Sequence, residues 1–161
     1  AGVIGLGIIG SRVAANLRKA GFQTWVWNRT PRPEPNFLSS ASEVAESEKI
    51  IQIFVSDGPA LIETIEAVAP MVGPEHIILN HATIAPKETL EAARLIHDRH
   101  AKYLDAPFTG SRDAADAAFA TLFGTVVSAS PIINIEAIVD PANQCFMPYH
   151  CVEALSTDSE V

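Results

Sequence analysis

The sequence predicts an α/β fold: a doubly wound parallel sheet with helices on both faces. Three observations predict it. Strand-like and helix-like segments alternate from residue 3 to about residue 120. The helical segments run to about 10–15 residues, the length a crossover between parallel strands needs. A glycine-rich turn, Gly5 to Gly10, joins the first strand to the first helix.

The elements follow in order. Val3–Leu6 reads as a short buried strand, and residues 9–20 as a helix with Ile9, Val13 and Leu17 on one face. Gly21 stands where a left-handed helix cap favours glycine. Residues 22–28, FQTWVWN, are aromatic and β-branched, and Thr24, Val26 and Asn28 alternate with Gln23, Trp25 and Trp27, as in a strand. Pro31, Pro33 and Pro35 exclude a helix over 30–37, so the connection there must be extended and short. A brief helix at 41–48 leads to a buried strand, KIIQIFV, at 49–55. After the loop SDGPA, residues 60–69 form a helix with Leu61, Ile65 and Val68 aligned. A strand at 76–82, a helix at 86–100 with Leu90, Ala93 and His97 aligned, and a strand at 102–107 complete the clear pattern. Helical spacing returns at 112–120. TLFGTVVSA, 121–129, reads as a possible last strand, and 130–161 has no sustained period. The domain reading is thus a nucleotide-binding domain over 1–120 and an irregular tail over 121–161.

Composition narrows the function. Hydrophobic residues make up 48% and charged residues 19%, the balance of a globular α/β chain. A net charge of −8 speaks against nucleic acid as a partner. No apolar run reaches the roughly 18–20 residues that span a membrane, and the opening residues do not fit a secretory leader. With no initiator Met and a start almost inside a strand, a few residues are expected ahead of Ala1. Cys145 and Cys151 suit a reduced, cytoplasmic setting. Together with His150 they do not make the four close ligands of a structural zinc site, so no metal is expected. Charge is unevenly spread: residues 1–33 hold Arg12, Arg18, Lys19, Arg29 and Arg32 and no acid, whereas all 19 acids lie from Glu34 onward. That pattern fits a small anionic ligand at the basic segment; a merely uneven solvated surface is the alternative.

The chemistry sits in Gly5-Leu6-Gly7-Ile8-Ile9-Gly10, G-x-G-x-x-G at a strand-to-helix junction. Gly5 permits the tight turn, Gly7 lets backbone amides approach a pyrophosphate, and Gly10 lets helix and strand pack closely. The diphosphate then meets unpaired N–H groups at the positive end of the helix dipole. In this strand–helix–strand context the motif reads as a Rossmann-type dinucleotide site; a tight turn alone is the alternative. An NAD site usually carries a carboxylate after the second strand, to accept from the ribose hydroxyls. Here stand Asn28, Arg29 and Thr30. A guanidinium can hold a 2′-phosphate that a carboxylate would repel, and the neutral neighbours and Arg32 can add to it. The cofactor expected is therefore NADP, unless Arg29 is simply a surface arginine.

Four segments in order, GLGIIGSRVAANLRKAG, VWNRT, HATIAPKET and DAPFTGS, resemble the N-terminal domain of the β-hydroxyacid dehydrogenases over about residues 2–120. That superfamily includes 3-hydroxyisobutyrate dehydrogenase, glyoxylate and tartronate semialdehyde reductases, and the 6-phosphogluconate dehydrogenase NADP-binding domain. The resemblance implies an NADP(H)-dependent oxidoreductase passing hydride between nicotinamide and a small hydroxy acid or its semialdehyde. It implies that Val55, Ser56, Ala60 and Leu61 form the loop that covers the cofactor after the fourth strand, and that Thr83 lies near the nicotinamide. It implies that Thr109, Gly110 and Ser111 hold a substrate carboxylate, a turn alone being the other reading. A homo-oligomer is implied for the full-length enzyme.

Departures from the family are specific. Three prolines replace a helix at 31–35, Ser111 replaces a glycine, and Ala114 and Ala115 stand where another glycine is common. The family's catalytic lysine lies on a second, helical domain; this chain has no lysine past Lys102, and residues 130–161 resemble no part of the family. No catalytic residue is therefore assigned, and the 161 residues alone are expected not to turn over. A non-catalytic NADP-binding module and an imine reductase are the alternatives. His81 could face the substrate or serve structure. Lys87, Glu88, Glu91 and Arg94 read as a solvated helix face, and Asp105 as hydrogen-bonded structure.

Overall fold

Short apolar runs such as IIQI and IILN are what a parallel sheet covered on both faces demands of its central strands. In the computed structural model, which describes residues 1–107, they occupy that place. The order is β1 (Gly2–Ile4), α1 (Ile8–Lys19), β2 (Trp25–Trp27), α2 (Ala41–Ser47), β3 (Ile50–Ile53), α3 (Gly58–Val68), a 3-10 turn (Ala69–Met71), β4 (Ile77–Asn80), α4 (Pro86–His97) and β5 (Lys102–Asp105). All five strands are parallel, in the order β2-β1-β3-β4-β5. The sheet is the doubly wound, Rossmann-type one that the sequence predicts.

Two apolar layers hold it. Ile4, Ile51, Ile53 and Ile78 pack with Val44, Leu61, Ile65, Val68 and Ile96, beneath α2, α3 and α4. Val3 and Val26 pack on the other face with Leu6, Val13 and Leu17, beneath α1. Each fully buried Leu, Ile or Val contributes about 1.5–3 kcal/mol.

Strands are shorter than the apolar runs. Thr24, expected in β2, turns its hydroxyl back to the carbonyl of Phe22, and Asn28 leaves the ladder to serve a neighbouring loop. Gly21 adopts φ +88 after α1, with the Phe22 N–H donating to the Leu17 carbonyl, as a left-handed cap requires. In α4 only Ala93 of the three aligned residues is buried. Leu90 is 58% exposed and His97 is exposed, while Ala92, Ala93 and Ile96 are buried. The helix packs closely on α3 and β5, where alanine fits better than leucine, and it ends three residues early in a turn with His100 at φ 59. Of the solvated-face residues, Lys87, Glu91 and Arg94 are exposed, but Glu88 packs over Gly58.

The proline segment forms no helix, as expected, but it turns rather than running extended throughout: the Glu34 N–H donates to the Arg32 carbonyl (2.9 Å), and Asn36 adopts φ 54. The Arg18 guanidinium on α1 clasps it, donating to the Glu34 carboxylate (2.9 Å) and the Pro35 carbonyl (2.7 Å). Phe37 then makes a single parallel bridge to Val26, outside β2. The expected helix at 112–120, the possible strand at 121–129 and the tail all lie outside the described residues. Among the described residues no helix is long and apolar enough to cross a membrane.

His76 ties the layers together below the sheet. Its Nδ1 accepts from the Gly73 N–H (2.9 Å), which leaves Nε2 to donate to the Ala45 carbonyl (3.0 Å) at the end of α2. The ring is buried. His76→Ala should cost on the order of 1–3 kcal/mol, because the buried Ala45 carbonyl and the part-buried Gly73 N–H lose their partner; urea unfolding checks this, and no loss is the contrary outcome.

Candidate functional site

Ligands of doubly wound sheets lie at the carboxyl ends of the strands, where successive helices leave for opposite faces. Here that point lies between β1, which feeds α1, and β3, which feeds α3. A cleft of about 730 Å³ opens there, lined by Gly5, Gly7, Ile8, Ile9 and Gly10 on the first loop. Leu6 does not line it. Its side chain is fully buried beneath α1, and only its backbone serves the site.

The three glycines separate by environment. Gly5 has φ +92, and a Cβ there would lie 1.9 Å from the Phe54 carbonyl oxygen. At Gly10 a Cβ would lie 1.9 Å from the Gly5 carbonyl oxygen. At Gly7 a Cβ would meet nothing within 4 Å, so the space beside it is open. Gly7 is also the N-cap of α1. Of the four described α-helices, α1 alone starts with neither a capping side chain, nor an acid in its first turn, nor a proline. By contrast Ser40 caps α2 and Asp57 caps α3. No side chain of the described residues caps the positive end of α1, which lines the cleft.

Asn28, Arg29 and Thr30 line the cleft beyond β2. Asn28, besides lining the cleft, ties two loops together through its amide. Its Oδ1 accepts from the Leu6 N–H (2.8 Å), and its Nδ2 donates to the Thr30 carbonyl (2.7 Å). Arg29 is exposed at the mouth. Of the other cations, Arg18 holds the proline segment, Arg12 donates to the Ile8 carbonyl (2.7 Å), and Arg32 does not line the cleft.

Val55, Ser56 and Ala60 line the opposite wall, but Leu61 is fully buried in the core. Their loop follows the third strand of this chain, not a fourth. Ser56 donates to Asp57 (2.6 Å), and this bond, then the Ala60 N–H and the charge of Arg29, holds the Asp57 carboxyl below its ordinary value. Sequence reading missed Trp27, Ser40, Ser42, Glu63, Thr64 and Ala67, which also line the cleft. On α3 a signal existed: Ala60, Glu63, Thr64 and Ala67 repeat at helical spacing on the face beside Leu61, Ile65 and Val68.

At the far end, Thr83 and His81 line the cleft beside Phe54. Asn80 shapes this turn, accepting from the Ala82 N–H (3.1 Å) and donating to Asp105 (2.8 Å). Asp105 is thus hydrogen-bonded structure; burial pushes its carboxyl up, against the Asn80 bond. Thr109, Gly110, Ser111, Cys145, His150 and Cys151 lie outside the described residues. Among those described, no group of three or more His, Cys, Asp or Glu could hold a metal.

His81 is buried, its ring stacked on Phe54 at 4.6 Å and 17°. Nδ1 lies 2.9 Å from the Ala106 carbonyl, which can only accept, so Nδ1 carries the proton. Burial holds its pKa down at about 4 against the ordinary 6.5. Between those values the unfolded chain binds the extra proton and the folded chain does not. Stability from this group is therefore full above pH 6.5 and falls as pH drops toward 4, by roughly 3 kcal/mol at most. Calorimetry from pH 7 to 4 should show the melting temperature falling, and falling less in His81→Phe; equal slopes would contradict this.

Comparison with known proteins agrees with the geometry. Over residues 1–145 the chain matches the family described as the NAD binding domain of 6-phosphogluconate dehydrogenase. It is similar to 2-hydroxy-3-oxopropionate reductase of Escherichia coli K12, 33% identical over 125 residues that cover 71% of this chain and 42% of that protein. The cytokine-like nuclear factor N-PAC of Mus musculus is 29% identical over 119 residues, 71% of this chain and 22% of its own. The chain thus spans less than half the length of these curated relatives. In fold it is similar to 3-hydroxyisobutyrate dehydrogenase of Mycobacterium tuberculosis, solved with L-serine (TM-score 0.66, 23% identity, 73% of this chain and 43% of that one). Because the family match takes in every element from β1 to β5, the chain belongs to the family of the 6-phosphogluconate dehydrogenase NAD-binding domain, an oxidoreductase family whose Rossmann-type domain binds a pyridine nucleotide.

Proposed function

We propose that the cleft binds NADP(H) and that this chain is the cofactor-binding part of an oxidoreductase acting on a small hydroxy acid or its semialdehyde. The observation that carries the reading is the pairing of an uncapped, acid-free α1 terminus at Gly7 with an exposed Arg29, rather than a carboxylate, beyond β2. Backbone N–H groups at Gly7–Gly10 would hold the diphosphate. Arg29 and Thr30 would hold a 2′-phosphate. Val55, Ser56 and Ala60 would bound the dinucleotide from the other wall, with His81 and Thr83 at its nicotinamide end. Nicotinamide, when bound, supplies or accepts the hydride. Thr109, Gly110 and Ser111 are the proposed holders of the substrate carboxylate. The similarity to the E. coli reductase supports that substrate class. A second reading is a non-catalytic nucleotide-binding module, favoured by the fact that one relative, N-PAC, is named as a nuclear factor rather than as an enzyme. A cytoplasmic setting and a homo-oligomeric full-length enzyme belong to the first reading.

NADPH should bind more tightly than NADH, and Arg29→Ala should remove that preference. A lost charge-assisted contact costs about 1.5–3 kcal/mol, or roughly tenfold to a hundredfold in affinity. Fluorescence titration measures both constants; equal affinities in the unmodified chain would sink the NADP assignment.

The glycines offer a separate check. Gly7→Val should abolish NADPH binding and shift the melting temperature little, since nothing lies within 4 Å of the added Cβ. Gly10→Ala should instead destabilise the fold, because its Cβ would sit 1.9 Å from the Gly5 carbonyl oxygen. The reverse pattern would put the phosphate elsewhere.

A further inference from the structure

Two rings join strand exits that the backbone leaves apart. Phe54 follows β3, and its N–H donates to the Ile4 carbonyl at the end of β1 (2.8 Å). Its carbonyl is the atom that makes Gly5 obligatory, and its ring lies 3.2 Å from where a Gly10 Cβ would be. Phe54 therefore packs directly against the glycine loop. His81 follows β4, and its N–H donates to the Ile53 carbonyl (2.9 Å). Its ring stacks on Phe54, and its Nδ1 donates to the carbonyl of Ala106, the first residue past β5. The Ala106 N–H in turn donates to the Asn80 carbonyl (2.8 Å). A continuous line of contacts thus runs from the glycine loop, through Phe54 and His81, to the segment that leads toward Thr109.

We propose that His81 is a positioning residue of the cofactor site, its stacked ring fixing Phe54 and thereby the glycine loop, and its Nδ1 fixing the β5 exit in the same frame. The inference rests on the cleft being a nucleotide site and deepens that reading; it assigns no proton transfer to His81. Its physical basis is steric. The Phe54 carbonyl occupies the space a Gly5 Cβ would need, and its ring lies beside Gly10, so a shift of Phe54 disturbs the backbone proposed to face the diphosphate. In the present arrangement the imidazole, immobilised by its own hydrogen bond, holds the Phe54 ring in one place.

The test uses the full chain and two probes. NADPH engages the glycine loop; adenosine 2′-monophosphate carries the 2′-phosphate and nothing that reaches the loop. His81→Ala should weaken NADPH about tenfold or more while leaving adenosine 2′-monophosphate within about twofold. His81→Phe keeps a stacked ring and should recover NADPH affinity to within about threefold of the unmodified chain. A purely structural role would move both probes together. His81→Ala binding NADPH normally, His81→Phe binding no better than His81→Ala, or both probes weakening in step would each overturn the proposal. Should His81→Ala not fold, His81→Leu takes its place against the same thresholds. An unmodified chain that binds neither probe overturns the nucleotide reading and this inference with it. Normal binding with unresponsive variants overturns the inference alone.

Discussion

Three stretches of backbone meet at the exit of β1, and the rest of the cleft depends on how closely they approach. Gly5 turns with its α-carbon against the Phe54 carbonyl, and Gly10 lies against the Gly5 carbonyl. No side chain fits at either place, so α1 starts close to the sheet, and Gly7 to Gly10 line the opening. Folding alone builds this arrangement. For the proposed diphosphate site, the conformational cost of shaping the loop is thereby met before any ligand arrives, which is what preorganisation means for affinity.

Charge is arranged around that opening by use rather than by number. Residues 1–33 hold five cations in a chain of net charge −8. Arg18 is committed to Glu34 and Pro35, and Arg12 to the carbonyl of Ile8. Arg29 stands at the mouth, where the Asp57 carboxylate feels it across the cleft. Asp57 itself is occupied as the α3 cap. The two walls therefore differ: α3 has its own anion at its start, and α1 has none.

The sheet was legible because buried parallel strands leave unbroken apolar runs, and the glycine loop because each glycine answers a separate steric demand. Boundaries and faces were less so. Leu90 and His97 carry helical spacing, but the close packing of α4 on its neighbours selects Ala92 and Ala93 instead. Leu6 and Leu61 fall inside segments that otherwise line the cleft, and only the direction of the side chain separates them from their neighbours. Asn28 shows the same limit. Residue type marks it as a polar group at the right place, yet the pairing with the Leu6 N–H depends on two loops 22 residues apart meeting in space. Ser40 and Ser42 reach the cleft from α2, an element that motif spacing does not connect to the glycine loop.

The clasp of Arg18 on Glu34 and Pro35 has a consequence for solubility. Beyond β2 the sheet would end in a row of unpaired N–H and C=O groups, a template for pairing with another chain. Instead the outermost ladder is one bridge at Phe37, preceded by three residues that have no N–H to offer. The guanidinium holds that stretch down over the edge. A sheet that is open by topology thus offers further strands a poor template on this side, and the segment that covers the edge is the one that connects Thr30 to Ser40 at the cleft wall.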